Sequence, residues 1–182
     1  MTSLQGHLLV ASPYLVDSPF SGTVIFVLQH TDEGAWGLVL NRLADASIRD
    51  FWRQVSDEPC ESNQPVNVGG PISGPLVAVH DCEPLAEAVV PPGVFVASQR
   101  EHLEQLVHQT ERPFRLFVGH SGWVAGQLNQ EVEQGVWLTT LATPDVVFGD
   151  EENLWRRALR MVGHSFTRSL NIKHIPEDVS LN

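Results

Sequence analysis

The chain has 182 residues, 42% of them hydrophobic and 18% charged, with a formal net charge of −11. A chain of this length and apolar content can bury a core that offsets its ordering entropy. General disorder is excluded, and one domain spanning residues 1–182 is the expectation. The acidic balance excludes a sequence-blind nucleic-acid coat, which needs dense positive charge against phosphates.

The elements read as follows along the chain. Leu8 to Ala11 is a short buried strand, and Thr23 to His30 is a second, rich in β-branched and aromatic residues. Thr31 to Gly34 is a turn, and Ala35 to Asn41 returns as a hairpin. Ser47-Ile48-Arg49-Asp50 is a variant capping box that opens a helix through Val55, followed by a polar loop from Ser56 to Pro65. Val66 to Gly69 and Pro75 to His80 are strands around a glycine-rich turn, and Cys82 to Pro92 is irregular. Val94 to Ala97 is a strand. Ser98-Gln99-Arg100-Glu101 is a capping box for a helix to about Thr110, with Leu103, Leu106 and Val107 as its seam. Phe114 to Val118 is a central strand by its nearly continuous apolar pattern. Gly119 to Trp123 leads into a helix from Val124 to Gln134, seamed by Val124, Leu128 and Val132. Val136 to Leu141 is a strand, Asp150-Glu151-Glu152 opens a helix ending at Gly163, and 165–182 is a loosely packed tail. Together these elements predict an α+β (mixed α/β) fold. Its centre is one mixed sheet or partly closed barrel flanked by about four helices.

Two cysteines, Cys60 and Cys82, are too few for a disulfide framework. The N-terminal segment has no basic region, and its apolar run stops at Ser12-Pro13, so no signal peptide is read there. No apolar run approaches the ~20 residues of a membrane helix. These features point to a reduced, cytoplasmic protein with no membrane partner. The single lysine, Lys173, lies outside any phosphate-loop context, and no dinucleotide fingerprint occurs, so no nucleotide cofactor is expected.

Gly119-His120-Ser121-Gly122-Trp123 falls between a strand and a helix, as a nucleophile elbow does, but Trp123 replaces the last glycine. The segment reads as a tight turn over a buried Trp123, as a ligand-binding loop using His120 and Ser121, or as the elbow of a hydrolase. Gln127 and Glu131, at i and i+4, border the core edge or a cleft, and Glu131 near His120 would make an acid/base pair. Otherwise they are a solvated flank. Gly69-Gly70 permits either an anion nest or a purely geometric turn. No His-Glu-x-x-His occurs, and His80-x-Cys82 has no second ligand pair, so no metal site is expected.

Charge is polarised. Asn153 to Pro176 holds no acid but contains Arg156, Arg157, Arg160, Arg168 and Lys173. Arg156, Arg157 and Arg160 share a helix face opposite Leu154, Ala158 and Val162. They either complement the helix dipole or form a docking face for an acidic partner or a nucleic acid. No helix-turn-helix pattern is visible, so direct nucleic-acid contact is not expected.

Several fragments, in order, resemble the AlgH-like (YqgE) family. They are Leu8 to Pro13; Asp17, Phe20, Thr23-Val24 and His30; Gly34 to Arg42; Gly69-Gly70-Pro71 with the strand ending at His80. Gly119, Gly122-Trp123, Gly126-Gln127-Leu128, Glu131, Gly135 and Trp137 follow, then Leu154-Trp155, Ala158-Leu159 and Gly163. The resemblance implies a compact bacterial α/β protein of the cytosol, from a largely uncharacterised family labelled as transcriptional regulators. The chain departs from the family pattern at His120, where an aromatic is expected, and at Asn129, where glutamate is usual. The combined expectation is a non-catalytic module that binds a small ligand or a protein. The two glycine turns would join Asn41, Arg42, His80 and Gln127 in one cleft. The alternatives are a hydrolase using His120, Ser121 and Glu131 at the Gly119–Trp123 turn, or a transcriptional regulator.

Overall fold

The computed structural model describes residues 3–169. Its α+β class is the expected one, but the strands divide between two sheets and no closed barrel forms. The first sheet is antiparallel and contains β1 (His7–Ala11), β2 (Val24–Thr31), β3 (Gly34–Val39), β10 (Ser121–Val124) and β11 (Trp137–Leu141), in the order β10-β3-β2-β1-β11. The second contains β4 (Leu43–Ser47), β5 (Pro65–Val68), β6 (Val77–His80), β7 (Ala88–Val90), β8 (Val94–Ala97) and β9 (Phe114–Val118), in the order β4-β5-β9-β6-β8-β7. Only the β5–β9 pair is parallel among the pairings of the described residues.

The apolar runs of the sequence follow from burial on both faces of each sheet. Leu8, Val10, Val24 and Phe26 face inward against Val77, Val79, Val96 and Phe117 of the second sheet. Leu9, Ala11, Ile25 and Val27 alternate outward beneath Trp123, Trp137 and Leu128. The outer face of the second sheet, with Ala78, Phe114 and Leu116, lies under α1 (Ile48–Val55) and α2 (Arg100–His108). The helices α3 (Gln127–Glu133), α4 (Pro144–Val147) and α5 (Leu154–Ser169) complete the set. Leu154, Ala158 and Val162 of α5 seat in the inter-sheet core, which is the seam its sequence spacing implies. The helix runs past Gly163 to Ser169, so the first part of the expected tail is helical. Residues 170–182 lie outside the described ones. No helix among the described residues is long and apolar enough to cross a membrane.

Two caps separate the helices by mechanism. Ser47 Oγ accepts from the Asp50 N–H at 3.1 Å and donates to the Asp50 carboxylate, as its sequence motif implies. The motif at Ser98 does not close. Instead the Glu87 carboxylate accepts from the N–H groups of Ser98 and Gln99 at 2.9 and 2.8 Å, taking over the start of α2 from a distant segment.

Arg115 sits on the inward face of β9 and is 7% exposed. Its guanidinium donates to Asn67 Oδ1 on β5, to the Leu40 carbonyl after β3, to the Val147 carbonyl of α4, and to the Glu151 carboxylate before α5. The Phe117 ring lies 5.5 Å from its carbon Cζ. Burial pulls its pKa down, and Glu151 opposes that shift. The acids that the sequence offered as a helix start therefore include one that neutralises a buried cation. Arg115→Met leaves the buried oxygens of Leu40 and Val147 without their donor. The expected loss is roughly 3–5 kcal/mol in urea unfolding, with Glu151→Gln costing less.

Candidate functional site

The two glycine turns meet each other. Gly69 N–H donates to the Val118 carbonyl at 2.8 Å, and the Gly69 carbonyl accepts from Val39 N–H and from Ser121 Oγ. A Cβ on Gly69 would stand 2.4 Å from the Gly119 oxygen, and one on Gly70 would stand 2.3 Å from the His120 carbonyl carbon. These glycines allow two backbones to cross in contact, with Gly70 at φ 155° and Gly119 at φ 67°. Ile72 and His120 then exchange both backbone hydrogen bonds. This crossing extends 121–124 as strand β10, where the sequence suggested a loop entering a helix. The helix begins later, at Gln127 after Gly126 in the left-handed region, and Val124 is 72% exposed rather than part of its seam.

Beside the crossing the sandwich stands open. Between edge strand β10 of the first sheet and edge strand β7 of the second lies a groove of 740 Å³. Trp36, Ile72 and Val124 form one side, with Val77, Ala88 and Val96 on the other. His120, Trp123 and Gln127 are the sequence-selected candidates that line it. The His120 ring stands edge-on to Trp36, with centroids 6.0 Å apart. Gln127 accepts from Val124 N–H and donates to Glu131.

The remaining candidates lie elsewhere, so one cleft joining all of them is not assembled. Asn41 clamps the start of β2, accepting from Val24 N–H and donating to the Gly22 carbonyl. Arg42 donates to the Pro19 carbonyl. His80 is fully buried on β6. Its Nδ1 accepts from Cys82 N–H, its Nε2 has no partner, and burial lowers its pKa. Ser121 is 1% exposed, with its hydroxyl given to the Gly69 carbonyl, so no base holds it as a nucleophile. Glu131 does not pair with His120. It accepts the indole N–H groups of Trp123 and Trp137 at 2.8 and 2.7 Å, and Gln127 on its other oxygen at 2.9 Å. On α5, Arg156 and Arg160 are exposed, whereas Arg157 is half-buried and donates to the Asp150 carbonyl. No group of three or more His, Cys, Asp or Glu side chains suited to a metal occurs among the described residues.

Sequence reasoning missed the groove walls at Trp36, Ile72, Ala88 and Val96. They come from separate segments with no shared spacing, and β7 lies in a stretch read as irregular. Asn129, the departure noted above, accepts from His30 Nε2 at 2.9 Å, while Leu4 N–H donates to His30 Nδ1. That pattern assigns His30 the neutral tautomer protonated at Nε2.

The profile of the AlgH-like family, DUF179, matches residues 8–167. The chain belongs to the AlgH-like family. A UPF0301 protein of Chlorobium luteolum is 33% identical over 94% of this chain and 92% of its own length. One from Idiomarina loihiensis is 34% identical over 90% and 93%. The solution structure of the AlgH protein from Pseudomonas aeruginosa superposes with a TM-score of 0.76 at 24% identity, covering 97% of each chain. The crystal structure of a Corynebacterium diphtheriae protein gives 0.69 at 23% identity, over 88% and 87%. These two likenesses show the fold.

Glu87 and Ser98 lie at the β7–β8 end of the groove, and Glu87 also meets His102 Nδ1 at 2.9 Å. Burial alone would raise the Glu87 pKa, but hydrogen bonds from Gln99, His102 and Ser98 hold it below the ordinary 4.5. A carboxylate depressed in the fold adds stability that is full above its unfolded value and is lost as pH falls through its folded value. The stability difference between wild type and Glu87→Gln is therefore expected to be constant above about pH 5 and to shrink in more acid solution. Urea midpoints taken from pH 7 down to pH 3 check this.

Proposed function

We propose that this protein is a cytoplasmic, non-catalytic binding module with a regulatory role, whose groove takes a small, largely apolar ligand. The observation that carries the reading is the groove itself. It is a 740 Å³ opening continuous with the inter-sheet core through Val77 and Val96. Its size falls within the roughly 300–1,000 Å³ of small-molecule sites, and its walls are chiefly apolar with few polar groups. Of the polar side chains around it, Glu87, Gln127 and Trp36 are committed to structure, and the His120 ring packs edge-on against Trp36. Glu87 caps α2, Gln127 bridges β10 to Glu131, and Trp36 Nε1 donates to Gln29. Binding without chemistry fits this arrangement better than acid/base or nucleophilic catalysis. The two cysteines are free thiols, in keeping with a reduced compartment. The exposed Arg156 and Arg160 offer a separate face on which an acidic partner could read the ligand state.

The test is native mass spectrometry of protein purified gently from its own host, with Ala88→Trp as the blocking variant. Ala88 is exposed at the groove wall, so an added indole fills the opening without disturbing the core. The wild type is expected to carry a stoichiometric small molecule. Ala88→Trp should reduce affinity for it at least about tenfold, with a thermal midpoint close to the wild type. Equal binding by both proteins sinks the groove as the site, and a co-purifying protein in place of a small molecule changes the ligand class.

A further inference from the structure

The groove opens along the free edge of β10, where backbone as well as side chains is on offer. β2 and β3 join through Asp32-Glu33, with Thr31 opposite Gly34. A two-residue turn closes on a hydrogen-bonded pair, so the backbone groups of Gly34 turn toward β2. Val124 lies opposite Gly34 on the other side, so its N–H turns away from β3, and Gln127 Oε1 accepts it at 3.1 Å. His120 also faces outward, with its N–H and C=O both taken by Ile72. Strand backbone groups alternate, so Gly122, between these two, directs its N–H and C=O outward as well. Gly122 is exposed, and those two groups have no partner among the described residues. Both faces of this edge are hollow. The groove lies on the inner face beside Trp36 and Val124, and a 350 Å³ hollow lies on the outer face beside Phe20, Gln134 and Trp137. The two hollows share Gly122, Trp123 and Gln127.

We infer that the ligand of the groove is a short extended peptide segment, apolar and free of acidic residues, which adds to the edge of β10 at Gly122. One residue of the segment exchanges both backbone hydrogen bonds with Gly122, as a neighbouring strand would. Residues paired across strands share a face, so its side chain drops into the groove, against Ile72, Val77 and Ala88. Glycine leaves the space for it, since a Cβ on Gly122 would already stand 2.9 Å from Ile72 Cδ1. The next residue of the segment points to the opposite face, over the outer hollow. In strand addition the main chain supplies affinity, and pockets for alternate side chains supply specificity. A plain hydrocarbon would fill the groove but leave the Gly122 pair unused. Charge selects further. The charged side chains that line the two hollows are Glu87 and Glu131, with no Lys or Arg among the described lining, and the chain carries −11 overall. An acidic segment is repelled there, and one flanked by basic residues is favoured. A second copy of the chain is the poorer occupant, because its own β10 offers one unpaired residue beside a Val124 N–H that Gln127 already covers.

The inference rests on the groove being the ligand site, and the two can fail separately. The probe is acetyl-Lys-Val-Leu-Val-Lys-amide. It is compared with the same peptide N-methylated at its three central residues, and with a form in which glutamate replaces both lysines. Each is titrated at constant ionic strength and followed by the backbone amide resonances. The probe is expected to bind saturably, at least about tenfold more tightly than its N-methylated form. Against the acidic form the margin should be at least about threefold. At saturation the Gly122 N–H should exchange with solvent at least about tenfold more slowly. Ala88→Trp should weaken the probe at least about tenfold. The inference is overturned by equal affinity for the probe and either comparison peptide, by a lack of saturation, or by unaltered exchange at Gly122. Probe affinity unchanged in Ala88→Trp overturns it too. So does concentration-dependent protection of Gly122 in the protein alone, which makes a second copy the occupant. The peptide comparisons use the wild type and decide even if Ala88→Trp does not fold. Should the peptide fail while Ala88→Trp still blocks a co-purified small molecule, the groove stands and only its ligand changes. Should Ala88→Trp alter the binding of neither, the groove reading falls as well.

Discussion

A single guanidinium holds the interior in register. Arg115 reaches from β9 to β5, to Leu40 just after β3, to the last residue of α4 and to Glu151 before α5. A buried cation is costly unless its donors are met, so its acceptors must arrive together. Hydrophobic burial alone would let the two sheets slide over each other. Four directional contacts on one planar group fix where the chain after β3 and the chain before α5 must lie. The open groove lies beside β10, between the edges of the two sheets.

β10 owes its place to a backbone crossing, which has no side-chain signature beyond glycine. That limit sets how much of the molecule could be read from its residues. β1, β2, β3 and β9 were legible because burial on both faces produces apolar runs. The seams of α2 and α5 were legible because helical spacing repeats. The Ser47 cap was legible because donor and acceptor are three residues apart. The cap at α2 was not, since Glu87 comes from eleven residues before Ser98 and leaves the local motif idle. Strand β10 was missed for the same reason. Gly119 to Trp123 carries the residues of a turn, and only the meeting with Gly69, Gly70 and Ile72 makes it an edge strand.

The candidate residues divide along this line too. His120 and Trp123 stand out by their position between a strand and a helix, and Gln127 by its i, i+4 spacing with Glu131; all three line the groove. Asn41 and Arg42 were expected in the shared cleft with the two glycine turns, and instead they tie the chain before β2. Glu131 was expected to pair with His120 as acid and base, but its fixed distances are to two indoles whose spacing from it in sequence gives no hint of convergence. Residue type announced polarity, while the partner depended on tertiary structure.

Strand β1 lies between β2 and β11, so its two edges are satisfied by segments at opposite ends of the chain. During synthesis, the β2 edge can close within a few tens of residues. The other edge, from His7 to Ala11, waits until Trp137–Leu141 has left the ribosome. For most of translation the N-terminal hairpin therefore carries an unsatisfied strand edge of strongly apolar sequence, the kind of surface that recruits chaperones or other nascent chains. The closing step joins residues 7–11 to 137–141. Such long loop closure slows folding, and it places the commitment to the native state late, after nearly the whole chain exists.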